Sequence, residues 1–537
     1  MSTLPNPPTQ TEILVIGGGP AGSYAAAALQ REGHQVTVLE ADKFPRYHIG
    51  ESLLPMMRNY LDFIGAAQAM ENHGFIVKPG AAFRLVHGIP ETWTEFLSLG
   101  PGFQTWNVIR SEMDDLLLKH AGKQGASVFE ETRVKSIDFS GEPGKSRPIA
   151  ANWVNKSGQE GKIAFEWLVD ASGRAGVMST KYLKNRHMRE SLRNIAVWGY
   201  WTGAKRYAAG TPKANSGWFE ALTDESGWSW TIPLHDGTTS IGFVMHQDFS
   251  IAKKAKTSGL KEHYLDQLQF CPGVRELLGE DAKLVEGSIK TASDYSYFAS
   301  SYSGDHFRVI GDAANFVDPF FSSGVHIALT GGLSAAVTIC ASIKGEATEE
   351  VAQKWHDSKV GIAHTRFLFV VLGAYQQMQL QSYPILSDVD AENFDEAFKM
   401  FYPGAVIFGL ADGSTALTDS RVREMMDRFQ HVFDPHVDEE NVKAVRARYG
   451  ADIVTVKTSV FGASKIEEIT KDDEEAYRVM MKTDTMKALG DDLEATSMGR
   501  SPSHGYIANI ERGKLGLRSV AVSGEKENAH SNGSIAL

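Results

Sequence analysis

Glu12-Ile13-Leu14-Val15-Ile16 is a short apolar run without alternation, the pattern of a strand buried on both faces. A Gly-rich turn, Gly17-Gly18-Gly19-Pro20-Ala21-Gly22, follows, and the Ala-rich stretch 23–30 then predicts a helix ending near Gly33. Gln35-Val36-Thr37-Val38-Leu39-Glu40 predicts a second strand, so the order is strand, turn, helix, strand. Trp167-Leu168-Val169 and Phe307-Arg308-Val309-Ile310 are further apolar runs, which lead into Asp170-Ala171-Ser172-Gly173 and Gly311-Asp312-Ala313-Ala314. A loop and a helix starting near Val325 come after the second of these. Residues 194–250, rich in Trp, Gly and Thr, predict a second, mostly antiparallel sheet. Beyond about 346 the pattern turns polar and helical, and the Ser/Asn/Gly-rich end predicts disorder.

Composition narrows the function classes. The net charge of -12 argues against nucleic acid or an anionic membrane surface as the main partner. The two cysteines, Cys271 and Cys340, form no CxxC, so no metal site is expected. A disulfide between them is less expected than a reducing, cytoplasmic setting. The start of the chain lacks the basic and apolar segments of a signal peptide, and the apolar run 367–373 is too short to cross a bilayer.

The first turn carries candidate chemistry. Gly17 allows a tight turn, Gly19 lets backbone approach a pyrophosphate, and Gly22 lets helix and strand pack closely. Together with Gly18 and Ala21 they set a helix N-terminus, with its free N–H groups, against phosphates. Glu40, at the end of the second strand, stands where it can accept hydrogen bonds from a ribose. A Gly-rich turn alone needs no ligand; the strand, helix and acidic residue around it make this one a dinucleotide site.

The segments at 170–173 and 311–314 resemble the later flavin motifs of the aromatic-hydroxylase superfamily. That resemblance implies FAD, with Asp312 on the ribityl chain and Arg110 near the flavin. Two further patterns resemble signatures of flavin-dependent halogenases. Gly227-Trp228-Ser229-Trp230-Thr231-Ile232-Pro233 contains WxWxIP, and Phe316-Val317-Asp318-Pro319-Phe320-Phe321-Ser322-Ser323-Gly324 fits FxxPxxSxG. Two Trp at alternate strand positions face one side and can wall a passage, although paired strand aromatics are more commonly core. A loop feeding a helix N-terminus presents N–H groups to an anion, and Ser322 or Ser323 can equally be an ordinary N-cap.

Lys78, in Phe75-Ile76-Val77-Lys78-Pro79-Gly80, resembles the lysine of phenolic halogenases. A lysine in apolar surroundings has a lowered pKa and a usable amine. His48-Ile49-Gly50-Glu51-Ser52, after Arg46, resembles the family segment bordering FAD; its plainer reading is a capped helix start. The matches run from about 12 to 330; beyond 346 the chain resembles fungal members of the halogenase family less specifically, and as a whole it is similar to free-standing fungal phenolic halogenases of secondary metabolism.

The resemblance implies an α/β fold with a discontinuous Rossmann-like FAD-binding domain over 11–195 and 290–345. It also implies a substrate-side sheet over 196–289, a mainly helical C-terminal region over 346–522 and a disordered tail over 523–537. FAD would be held by Gly17, Gly18, Gly19, Ala21, Gly22, Glu40, Arg46, Glu51, Arg110, Asp312 and Val325, and chloride by Ser323 and Gly324. Trp228, Trp230, Ile232 and Pro233 would line the passage, and Lys78 would be catalytic. A separate reductase would supply FADH2, since only one dinucleotide fingerprint is present, and O2 and chloride would be co-substrates. The substrate implied is a phenol, because Phe321 stands where tryptophan halogenases carry a glutamate; Lys78 or His73 are candidate bases. An aromatic hydroxylase, or a flavoprotein without catalysis, is the alternative.

Overall fold

The structure, a computed structural model, describes residues 6–379 and 431–520. It leaves out 89, 97–102, 104, 190–191, 294–295, 432–433, 435–436, 438, 451–459 and 494. The expected disordered tail, 523–537, lies outside the described residues.

The first apolar run forms the strand Gln10–Ile16 at the centre of an eight-stranded sheet. It pairs in parallel with Glu160–Asp170 on one side and Val36–Leu39 on the other, Leu14 lying opposite Leu168 and Thr37. Phe307–Val309 and Ser127–Phe129 extend the parallel array outward. The four apolar runs read from the sequence are therefore neighbours, and the turns that follow three of them gather at the carboxyl edge, where an open parallel sheet binds its ligand.

One face of this sheet is covered by Pro20–Arg31 and Gly324–Lys344. The latter is long and apolar enough to cross a membrane, with mean hydropathy 1.6, but 94% of its apolar window is buried inside the fold. Tyr24, Ala25, Leu329 and Leu333 of the two helices share one core, in which Gly332 permits close approach: a Cβ there would meet the Ala21 carbonyl oxygen at 3.0 Å.

The second sheet also has eight strands. Asn194–Thr202, Thr238–His246, Gly227–Pro233 and Gly217–Ala221 follow one another as antiparallel neighbours. Gly80–Arg84 then adds in parallel and Thr92–Glu95 closes that edge. This corrects the expected layout: residues 80–95 and 290–293 leave the FAD-side segments and pair in the second sheet. The reason is pairing rather than pattern, because a strand's alternation does not say which sheet takes it. One face of the sheet carries Phe83, Phe219, Trp228, Trp230 and Val244. The other carries Trp218, Ile241, Phe243 and Met245 under the short helices Gln247–Lys254, Leu260–Asp266 and Pro272–Leu278.

The C-terminal region is helical over Glu349–Gln379, Glu439–Tyr449 and Glu474–Leu493. It ends, however, in a hairpin of Tyr506–Asn509 and Gly516–Ser519. Ala508, Leu515 and Leu517 of this hairpin enter the FAD-side core, and Glu32 accepts hydrogen bonds from the Gly513 and Leu515 amides. Cys271 and Cys340 are free thiols in two different cores.

Candidate active site

The Gly-rich turn has the geometry its glycines require. Gly17 has φ +100°, and a Cβ on it would lie 2.3 Å from the Ala171 carbonyl oxygen. A Cβ on Gly22 would lie 2.0 Å from the Gly17 carbonyl oxygen, so both positions exclude any larger residue. Gly19, in contrast, faces open space up to the Arg46 guanidinium at 3.6 Å. Gly19 is also the N-cap of Pro20–Arg31, with no side-chain cap and no acidic residue in the first turn. A cleft floored by uncapped amides and flanked by a cation fits a pyrophosphate.

Glu40 accepts from the Gly18 amide at 2.5 Å and from the Asp42 amide at 2.8 Å. It holds the turn in shape, and each oxygen keeps a lone pair for a ribose hydroxyl. Arg46 and Arg110 converge on the buried Asp114 carboxylate, at 2.7 Å for Arg46 and 2.9 and 3.1 Å for Arg110. Arg110 then donates to the Ile49 carbonyl oxygen at 2.9 Å, bracing the segment that carries Glu51 and Ser52. That segment is not a helix start: Ser52 bridges to Asn107, and Glu51 is buried beneath Tyr200, whose hydroxyl donates to it at 2.6 Å. Burial pushes the Glu51 carboxyl up to about 7.

Asp312 lies in the turn Gly311–Ala313, half-buried and facing Arg110, Arg174 and Arg186. Burial raises its carboxyl to about 6 against the pull of those guanidiniums. Ala21 packs beneath this turn, since a Cβ on Gly311 would come 2.8 Å from its methyl. The turns at 17–22, 170–173 and 311–313 thus meet through Ala171, Gly17, Ala21 and Gly311, and the residues present fit a flavin dinucleotide.

The helix expected near Val325 begins at Gly324. Neither serine caps it through a side chain. Ser322 sits at φ +55°, ending the short turn Pro319–Phe321, and Ser323 occupies the cap position without a capping bond. The Ser323 hydroxyl is buried and has no hydrogen-bond partner, and a Cβ on Gly324 would meet nothing within 4 Å. The first turn holds no acidic residue. This is an uncapped helix start with an unsatisfied hydroxyl and space beside it, a fit for a small anion. The Val325 side chain points into the core, so only its backbone can face a cofactor.

Trp228 and Trp230 lie on one face of their strand, as alternation requires, with Ile232 in the same cluster. Their rings are 5.8 Å apart; Trp198 lies 6.3 Å from Trp230, and Phe320 meets Trp228 edge-on at 5.1 Å. Opposite Trp230 stands Gly242, where a Cβ would lie 2.2 Å from the indole. The Trp228 indole N–H donates to the Tyr375 hydroxyl at 2.7 Å, and Tyr375 donates to Asp318 at 3.0 Å. Asn194 donates to both at 2.8 Å. Asp318 also accepts from the Phe320 amide at 3.1 Å, and burial pushes its carboxyl up to about 6. Asp318, Tyr375 and Asn194 were missed in the sequence. Asp318 lies inside the quoted motif but marks no role by itself, and nothing near Tyr375 signals that its helix returns to the wall.

Lys78 is 2% exposed. Its ammonium donates to Ser52 Oγ at 2.7 Å and to the Leu53 carbonyl oxygen at 3.3 Å, with the Phe96 ring 4.9 Å away. Burial alone lowers it to about 7. Phe96 belongs to the apolar cluster that also holds Trp228, Trp230 and Phe320. His73 instead hydrogen-bonds Glu112 at 2.6 Å and stacks on Phe75.

A model of the FAD binding domain matches residues 10–365. The Armillaria mellea flavin-dependent halogenase armH5 is 52% identical over 518 residues, covering 95% of this chain and 98% of that protein. The chain belongs to the flavin-dependent halogenases. The Aspergillus terreus sulochrin halogenase gedL is 45% identical, over 96% of this chain and 94% of its own. The solved structure of the myxobacterial chondrochloren halogenase CndH superposes with a TM-score of 0.64 at 28% identity, over 79% of this chain and 97% of that one. The halogenase is thus a member of the fungal group on an aromatic-hydroxylase-type fold.

Proposed function

We propose that this halogenase chlorinates a phenolic ring, using FADH2 from a separate reductase, O2 and chloride, with Lys78 handing the chlorine to the substrate. The observation that carries the reading is a buried lysine beside Phe96 of the tryptophan cluster that, among the described residues, has no carboxylate partner. Reduced FAD and O2 would supply the oxidation that turns chloride into hypochlorous acid. Gly17, Gly19, Gly22, Glu40, Arg46, Arg110 and Asp312 would hold the cofactor, and Ser323 with the Gly324 amide would hold chloride. Trp228, Trp230, Ile232 and Pro233 separate that region from Lys78 and keep the aromatic substrate off the flavin.

An amine with a pKa of about 7 is roughly half neutral at pH 7; at the ordinary lysine value only on the order of one in a few thousand would be. The neutral amine can hydrogen-bond hypochlorous acid, or take its chlorine and release water. In either course the ring attacks chlorine, the ring proton leaves and the amine is regenerated. Holding chlorine over one carbon supplies the regioselectivity that free hypochlorous acid lacks. One fingerprint at 17–22, with no second nucleotide-binding βαβ unit among the described residues, supports an external reductase. The unpaired, buried cysteines support a cytoplasmic setting.

The test supplies purified protein with a flavin reductase, NADH, FAD and NaCl, and offers phenols and tryptophan side by side. Mass spectrometry should show chlorinated phenol, its loss in Lys78→Ala, and unchanged FAD affinity in that variant. Chlorination of tryptophan alone, or full phenol chlorination by Lys78→Ala, refutes the reading.

A further inference from the structure

Three ring and carboxylate groups that the halogenation chemistry does not use converge outside the flavin site. His73 ends the helix Ala67–His73, Glu112 lies in the first turn of Arg110–Lys123, and His235 lies in the turn after the strand Gly227–Pro233. His73 Nε2 is 2.6 Å and His235 Nε2 3.1 Å from the same oxygen, Glu112 Oε2, and the three ligand atoms all lie within 4.8 Å of one another. The rings are fixed by packing as well: His73 stacks on Phe75 at 4.2 Å, and His235 meets both Phe75 and His73 edge-on, at 5.3 and 5.9 Å. The side chains are between a fifth and about a third exposed, open enough for an ion to enter and leave.

We propose that His73, Glu112 and His235 form a binding site for a divalent transition metal ion, with zinc the best fit. Two imidazole nitrogens and one carboxylate oxygen are the donor set zinc takes, at about 2.0–2.2 Å per bond. Ligand atoms around a tetrahedral ion stand roughly 3.3 Å apart by that geometry, so the two His–Glu contacts, at 2.6 and 3.1 Å, need to open by less than an ångström. Nitrogen donors disfavour calcium and magnesium, which take oxygen. A fourth position is left to water. Spacing along the chain could not show the site, because the first two ligands are 39 residues apart and the third comes from the second sheet.

The placement gives the ion a task. His73 lies five residues before Lys78, Glu112 two after Arg110, and His235 two after Pro233. A bound ion ties the lysine strand, the arginine helix and the end of the tryptophan strand at one point. It acts as a clamp between the two sheets and takes no part in oxidation.

The experiment titrates chelator-treated, FAD-loaded full-length protein with zinc by calorimetry, and with cobalt by its visible ligand-field absorption. One ion per chain is expected, with a rise in melting temperature. His235→Ala and Glu112→Gln should each weaken binding at least tenfold, remove the cobalt bands and abolish the thermal shift. Magnesium should not compete. Far-ultraviolet circular dichroism and FAD content verify that the variants fold, and His73→Ala serves if either does not. No zinc site in the wild type, binding unaltered in the variants, or displacement by equimolar magnesium overturns the proposal.

Discussion

Replacing Lys78 by methionine keeps the volume and removes the amine, and its effect on stability should depend on pH in a calculable way. Folding lowers the lysine from 10.5 to about 7 because burial disfavours the charged form. Between about pH 7 and 10.4 the unfolded chain therefore binds a proton that the folded chain does not. Stability then rises with pH, by at most about 1.4 kcal/mol per unit. The cost of burying the amine is fully present below pH 7 and fades as pH approaches 10.4. From pH 7 to 9 the wild type should gain roughly 2 kcal/mol relative to Lys78→Met. The lost bonds to Ser52 and Leu53 add a penalty to the variant of about 1–3 kcal/mol, but one that does not change with pH. The assay is urea unfolding of both FAD-loaded proteins at pH 7, 8 and 9, read as the difference between them. A difference constant across the three values would show that Lys78 keeps an ordinary pKa, and the argument for a half-neutral amine would fall.

Glu51→Gln should show the opposite slope. The wild-type carboxyl is raised to about 7, so the fold binds the extra proton and the wild type loses stability from about pH 4 to 7; the glutamine variant should not. Thermal melts at pH 5 and pH 7.5 test this. Trp228→Ala should destabilise by about 3–5 kcal/mol and free Tyr375 from its indole donor, with less chlorinated product per O2 consumed. Unchanged product yield in a stably folded variant would remove the wall's separating role. Gly242→Ala should force Trp230 out of place, lowering stability by about 1–3 kcal/mol and product yield with it, measured by melting and mass spectrometry.

The FAD-side sheet was legible because its signals are local. Each apolar run is short, each is followed by a turn of small or acidic residues, and Gly17, Gly22 and Gly311 are positions only glycine can fill. The shared face of Trp228 and Trp230 was equally legible from strand alternation. What the sequence hid is what distant pairing decides. Gly80–Arg84 reads as a strand in isolation, and only its parallel partner Gly217–Ala221 assigns it to the second sheet, while Lys78 just before it pairs with Thr105 in a separate two-stranded ribbon. Tyr375 follows the apolar run 367–373, which marks a buried helix face but not its partner, the Trp228 indole. The hairpin at 506–519 was lost in a region of helical pattern because its few strand residues show no long alternation.

The carboxylates around the wall bear on the proposed phenolic substrate. Phe321 stacks on Phe83 and meets Phe367 at a tilt, at 6.4 Å from each, so that position offers neither charge nor a proton acceptor. Asp318 stands three residues earlier, but its oxygens are taken by Asn194, Tyr375 and the Phe320 amide, and it holds the loop rather than facing a substrate. Glu51 accepts from the Tyr200 hydroxyl and adjoins Ser52, the Lys78 partner. A cationic ring intermediate formed near Lys78 would find no carboxylate at position 321 and an Asp318 already committed to the loop, and the lysine itself cannot stabilise a positive charge. A phenol avoids the difficulty. Its oxygen pushes electron density into the ring and, on losing its proton, leaves a nearly neutral dienone once chlorine has added. A neutral amine at about pH 7 is then also a fitting base for the phenolic proton, since its pKa lies near the working pH. One buried lysine, with no carboxylate partner among the described residues, would thus meet both requirements of the proposed reaction, placing the chlorine and activating the ring.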